Sequence, residues 1–378
     1  MRILLMADIH IGSIKDTRYV YNVITDIIEK EVIFNKTDMV VILGDYFDRL
    51  FRANEEYVSL AINVMSYLVE SCKRSKTKIK LINGTFSHDY DQYKLFNYFF
   101  SMKDIDIRLF TTVTEEIVNG KHILYVPEEY MMDKHIFYKK YLYSDKQYDY
   151  IFGHGMIIEA FPTIVQVSHS ASSGKEKTVP RFTSGELSKV CKLSVWGHWH
   201  HYTEMRNVYY LGSLFRNSFG EEEDKGYGII ENDEFKFIKN EKAYIYKTYV
   251  FDETSPIYEN NDNIIKEINK IKNENKEIFT GKLVGKIRLK LKLPVNVYSS
   301  FKDDLVSITN EDRIFTLLIE DNNSDIIEED NPETTEYDFL LDNNIQIHEK
   351  IHSYIQKQFD SDISLNQIKK YITEPLSI

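Results

Sequence analysis

The stretch MVVILGDYFDR, residues 39–49, opens with five consecutive apolar side chains and breaks at Gly44. An apolar run without alternation is a strand covered on both faces, the habit of a sheet flanked by helices. Two carboxylates, Asp45 and Asp48, follow the break, together with Arg49. Loops at the carboxyl ends of strands are where open α/β sheets place their ligands. The stretch therefore predicts a layer of the fold and a place for chemistry.

The flanking segments repeat the pattern. RILLMA (residues 2–7) and KIKLI (78–82) are further short buried strands. Val20, Val23, Ile24, Ile27 and Ile28 share one helix face over residues 16–35, and Tyr57, Leu60, Ala61, Val64 and Leu68 share another. HILYV, YIFG, KLSVW and VYYLG are later strand candidates. Strands alternating with helices predict an α/β fold with helices packed on sheet.

Near residue 250 the character changes. A polar helix over residues 262–278 precedes KIRLKLKL, where Ile287, Leu289 and Leu291 alternate with Lys286, Arg288, Lys290 and Lys292. Residues 251–320 are thus expected to form a small α/β cap domain. No Lys or Arg occurs between Arg313 and Lys350, so residues 321–343 predict an acidic, solvated linker. Residues 344–378 carry two short amphipathic helices. The first bears Ile347, Ile351, Ile355 and Phe359, and the second follows Ser364 with Leu365, Ile368 and Ile372.

With 378 residues, 43% of them hydrophobic, the chain can bury a sizeable core and hold two domains. The net charge of −12 argues against a basic nucleic-acid coat protein. It does not argue against an enzyme acting on nucleic acid, because bound cations and local basic patches hold phosphates on an acidic chain. Cys72 and Cys191 have neither ligand nor redox spacing and read as idle thiols. The apolar run at the start is too short for a secretory signal, and no stretch matches a membrane span, so a cytoplasmic location is expected.

Five fragments stand at or just after the predicted strands: DIH (Asp8, His10), GDYFDR (44–49), GTFSHD (84–89), GHG (153–155) and GHWH (197–200). Imidazoles mixed with carboxylates suit manganese, iron or zinc better than calcium or magnesium alone. In this order the fragments resemble the calcineurin-like metallophosphoesterases. The stretch VWGHWHHYTEMRNVYYLGSLFRNSFGEEEDKGYGII (195–230) resembles the SbcD-type nuclease subunit of bacteria and phages, through GHWH, YLGS, Arg216, FGE and KGY. The resemblance covers roughly residues 1–250. It implies a metallophosphoesterase β-sandwich flanked by helices over residues 1–250, with the cap and C-terminal helices beyond.

The resemblance also implies roles. Asp8, His10 and His200 would hold one metal, His154 and His198 a second, and Asp45 would bridge them. His88 would contact the phosphate and protonate the leaving oxygen, oriented by Asp48, with Asp89 as a competing candidate. Arg49 reads either as a phosphate contact or as a surface ion pair. Two divalent ions are implied, manganese first, with magnesium or iron as alternatives. The implied activity is DNA phosphodiester hydrolysis. The alternative is a stand-alone phosphoesterase on nucleotides or phosphoproteins.

The family's Gly-Asn-His-Asp here reads Gly-Thr-Phe-Ser-His-Asp, two residues longer. Aligned from His88, Ser87 takes the place of the Asn ligand; aligned from Gly84, Thr85 does. Ser87 or water is the expectation, with Asn83 and Thr85 next in line. For DNA contact the candidates are Lys175, Lys177, Arg181 and Arg216, along with the run Lys73 to Lys80 and the exposed face of KIRLKLK (286–292). The chain has no phosphate loop of its own. The resemblance implies an SbcC-like ATPase of the structural-maintenance class as partner, docking on the C-terminal helices, and a homodimer of the nuclease subunit. Packing of those helices on the protein's own core is the other reading.

Overall fold

The computed structural model describes residues 1–161, 179–294, 297–309, 313–321 and 324–327. Met39–Leu43 is a strand with every residue buried. It lies inside a six-stranded sheet ordered Glu234–Lys239, Gly226–Glu231, Arg2–Met6, Met39–Leu43, Lys78–Ile82 and Ile107–Phe110. The last four strands are parallel, and the two before them run antiparallel. A second six-stranded sheet is ordered Thr203–Met205, Val208–Tyr210, Cys191–Gly197, Tyr148–His154, Lys121–Val126 and Thr114–Val118. Its four inner strands are parallel.

The sheets pack face to face because each inner strand is apolar on both sides. Ile3, Leu5, Val41, Leu43 and Phe110 meet Ile123, Tyr125, Phe152 and Val195 in one buried cluster. Phe110 and Tyr125 stack there with ring centroids 3.9 Å apart. The alternate residues Leu4, Met6, Val40 and Ile42 face outward onto helices Thr17–Ile28 and Glu56–Ser75. On the far side, Leu124, Ile151 and Trp196 meet Tyr138 and Leu142 of helix Lys134–Leu142 and Leu187 of helix Ser184–Ser188. Each fully buried aliphatic or aromatic side chain contributes about 1.5–3 kcal/mol. The result is the predicted β-sandwich flanked by helices.

Some local features depart from the sequence pattern. The helix expected over residues 16–35 is α-helical only to Ile28, then widens into a π-helical turn, Glu29–Phe34. There Glu31 is buried and met by Arg2 at 2.7 Å and Tyr227 at 2.8 Å. Two tight hairpins turn at Asn119-Gly120 and Asn232-Asp233, all four residues with positive φ, the conformation that matches strand twist in a two-residue hairpin.

Chain contacts divide the molecule into Met1–Lys247 with Asn275–Lys286, and Thr248–Glu274 with residues from Ile287 onward. The second unit has a sheet ordered Ile245–Phe251, Gly285–Lys292, Phe315–Asp321 and Ser324–Ile327, the first strand passing over from the first unit. Ile287, Leu289 and Leu291 are buried, as are Ile264, Ile268 and Ile271 of helix Asn261–Glu274. Of the stretch expected as a linker, residues 321–343, only Asp321 and Ser324–Ile327 are described. Ser324–Ile327 is a strand antiparallel to Phe315–Asp321. The remainder of that stretch and the helices expected over 344–378 lie outside the described residues. No described helix is long and apolar enough to cross a membrane.

Candidate metal centre

Parallel strands end together, so their carboxyl-end loops converge on one rim. Asp8 and His10 follow Arg2–Met6, and Asp45 follows Met39–Leu43. Thr85 and His88 follow Lys78–Ile82, His154 ends Tyr148–His154, and His198 and His200 follow Cys191–Gly197. Asp8, His10, Asp45 and His198 all have positive φ, from 47° to 96°. Left-handed backbone at such residues costs of order 1–3 kcal/mol each and persists only where its surroundings enforce it. Gly84 is enforced too: a Cβ there would lie 2.3 Å from Asp45 Oδ1.

The rim gathers two clusters. Asp8, His10 and His200 present ligand atoms within 4.8 Å of one another, and so do Asp45, His154 and His198. The Nε2 atoms of His10 and His200 are 2.9 Å apart. Asp45 Oδ2 lies 3.9 Å from His10 Nε2 and 3.4 Å from His154 Nε2, so one carboxylate faces both clusters. His154 Nδ1 donates to the Leu43 carbonyl at 2.7 Å, which leaves Nε2 for a ligand's role. His200 Nδ1 faces Glu221 Oε1 at 3.5 Å, and Glu221 is held by the buried Lys225 at 2.7 Å. Lys225 also donates to the His200 carbonyl at 2.9 Å.

The electrostatics match a cation site. Burial pushes the Asp8 carboxyl up to about 6 and the His10 imidazole down to about 3. Burial and the charge of His154 take His198 down to about 4. Burial alone would raise Asp45, but the neighbouring His154 holds it well below the carboxylate range. Burial likewise opposes the charge on His154, and Asp45 reverses this, taking it up to about 10. Buried imidazoles and carboxylates with their charges opposed in this way fit a pair of divalent ions, and the orphaned Oε2 of buried Glu128 beside His198 fits it as well.

Several sequence expectations are corrected. Ser87 is exposed, and the hydroxyl in the second cluster belongs to Thr85. Its Oγ1 is 3.2 Å from Asp45 Oδ2, 3.2 Å from His154 Nε2 and 3.4 Å from His198 Nδ1. The two extra residues lengthen the loop beyond Thr85, so the register from Gly84 is kept. Asn83 turns its amide to the Gly84 carbonyl. Asp89 does not orient His88. It is fully buried and accepts the backbone N–H groups of Asp45, Tyr46, Phe47 and Gly84 and the Tyr93 hydroxyl, which positions the Asp45 loop. Asp48 holds His88 by its backbone carbonyl, to which Nδ1 donates. Its carboxylate instead lies 3.6 Å from His10 Nδ1.

Among the basic candidates, Arg49 is spent on a two-pronged pair with Glu55, 2.6 and 3.1 Å. Arg216 donates to the carbonyls of Tyr244, Glu222 and Glu223, so it braces a turn. Lys80 is fully buried between Asp106 and Glu116. Arg181 is a half-buried strand residue whose carbonyl accepts Lys134. Lys175 and Lys177 lie outside the described residues. Glu128, Glu221 and Lys225 carry no family motif role in the sequence reading. The FGE and KGY fragments that contain the last two were the available signal.

A family model described as calcineurin-like phosphoesterase matches residues 1–202, more than half of the 378 residues. No curated protein matches the chain. One crystal structure, 11% identical, aligns over 63% of this chain and 98% of its own with a TM-score of 0.37, too low to bear on either fold or function.

Proposed function

The chain belongs to the calcineurin-like phosphoesterase family, and from that premise we propose that it is a two-metal DNA nuclease subunit of the SbcD type, hydrolysing phosphodiester bonds. The observation that carries the reading is the pair of clusters joined at Asp45 with His88 beside them, its ring 4.8 Å from that of His10. Two ions held there would supply an activated water and charge stabilisation for an in-line displacement. Asp8, His10 and His200 would hold one ion and His154 and His198 the other, with the Asp45 carboxylate facing both. His88, tied through Nδ1 to the Asp48 carbonyl, keeps Nε2 for the substrate. The water would give up a proton to solvent as its oxygen bonds phosphorus, the ester P–O bond would break, and His88 would deliver a proton to the departing oxygen.

DNA as substrate is supported by Phe86 and Tyr90, which flank His88 on the lengthened loop. Both rings are exposed and lie 4.3 Å apart, a surface on which bases stack. A second reading, the stand-alone phosphoesterase, is favoured by the commitment of Arg49, Lys80 and Arg216 to internal partners. Labelled DNA and bis-p-nitrophenyl phosphate separate the two. For a nuclease, manganese supports cleavage of both and a chelator abolishes it. The Phe86→Ala/Tyr90→Ala variant then raises KM for DNA, by about 1–3 kcal/mol per stacked base, and leaves the small diester unaffected. Equal effects on both substrates, or no DNA cleavage, would favour the second reading. An SbcC-like ATPase as partner, docking on residues 344–378, and a homodimer belong to the same proposal. A pull-down with a chain ending near Asp330 tests the docking.

A further inference from the structure

We infer that Glu128 is a ligand of the second cation, taking the place of the amide that the family's Asn supplies. The inference rests on the two-metal reading above and deepens it. Thr85 stands in the Asn place, but a neutral hydroxyl is a poorer donor than an amide oxygen. A compensating group is therefore expected near Asp45, His154 and His198.

Glu128 has the placement such a group needs. It follows the strand Lys121–Val126 across Pro127, on the same rim as the other ligands. Its backbone N–H donates to the Asn83 carbonyl at 3.2 Å, which pins it beside the Gly84-Thr85 loop. Its side chain is only 2% exposed, and Oε2 lies 3.5 Å from His198 Nδ1. That oxygen has no hydrogen-bond partner. Among the described residues no Lys or Arg forms an ion pair with it, and His198 is its sole ionisable neighbour within bridging distance. The adjacent Glu129 is a contrast, since its Oε1 accepts the Val113 N–H at 2.6 Å.

A carboxylate buried without a cation is costly, and proteins retain such groups where an ion or a partner neutralises them. Glu128 has three cation-ligand candidates around it and an unused oxygen. A divalent ion at Asp45, His154 and His198 resolves the isolation. An added carboxylate also biases that site toward the harder ions, manganese and magnesium, over zinc.

The test counts metal and needs no DNA. The full chain is stripped with a chelator and titrated with manganese, bound ions being followed by calorimetry and by the loss of the free-ion paramagnetic resonance signal. Wild type binds two ions. Glu128→Ala weakens one of them at least about 10–100-fold and spares the other. Thr85→Asn placed in the Glu128→Ala chain restores the lost ion, because it returns the amide oxygen. Metal-free Glu128→Ala melts no lower than metal-free wild type, since an isolated buried charge has been removed. Two ions bound at wild-type affinity by Glu128→Ala would overturn the inference. So would a lower melting temperature of the metal-free variant with no rescue by Thr85→Asn, which marks a packing role. Failure to cleave DNA removes only the nuclease reading, whereas a wild type that binds no manganese removes the metal centre itself.

Discussion

The two clusters are braced by different means. Around Asp8, His10 and His200 the supports are charged and lie behind the ligands: Asp48 toward His10, and Glu221 with Lys225 toward His200. Around Asp45, His154 and His198 the supports are backbone groups, the Thr85 hydroxyl and the buried carboxylate of Asp89, which works through backbone amides. His154 leans on the Leu43 carbonyl, Asp45 takes the Thr85 N–H at 2.6 Å, and Asp89 gathers the loops by their amides. The difference teaches where tolerance lies. A side-chain brace can be deleted singly, whereas a backbone brace survives substitution of the residue that supplies it.

The largest effect that could break the comparison is at the shared residue. Asp45→Ala is expected to release both ions and lower cleavage to background, because its carboxylate faces both clusters. Manganese counting with a rate measurement checks this, and one retained ion with activity would show that the clusters act separately. A smaller effect should sharpen it. Glu221→Gln is expected to weaken one ion about 10–100-fold by loosening His200, leaving the other unchanged in the same titration. Equal weakening of both would merge the two supports into one network. The smallest effect is at Ser87. Because that side chain is exposed, Ser87→Ala should leave manganese stoichiometry and cleavage rate within error, while Thr85→Ala weakens the second ion.

Much of this was legible in the chain because the signals are local. A buried strand, a Gly and a ligand stand next to one another in MVVILGD and again in SVWGHWH. Asp8, His10, Asp45, His154, His198 and His200 could be read from such order, and the rim brings them together. What was not legible depended on geometry across the chain. Whether Thr85 or Ser87 enters the cluster is set by how the loop between Gly84 and His88 spends its two extra residues. Asp89 and Asp48 are the same residue type near the same histidine. Only the fold shows one engaged by amides and the other acting through its carbonyl. Glu128 sits in the unremarkable run Pro127-Glu128-Glu129, and nothing in that run distinguishes the orphaned carboxylate from its satisfied neighbour. The hairpin at Asn119-Gly120 was readable in principle, since that dipeptide is a strong turn signal.

The separation of His10 and His200, 190 positions along the chain, sets a clock on the birth of the site. At ribosomal speeds of 5–20 residues per second the first of these ligands emerges about 10–40 s before the second. During that interval the early histidine and its carboxylate neighbours are exposed as an incomplete chelate, able to pick up whatever ion is at hand. The full ligand set of that cluster therefore exists only once His200, 190 positions later, has joined Asp8 and His10.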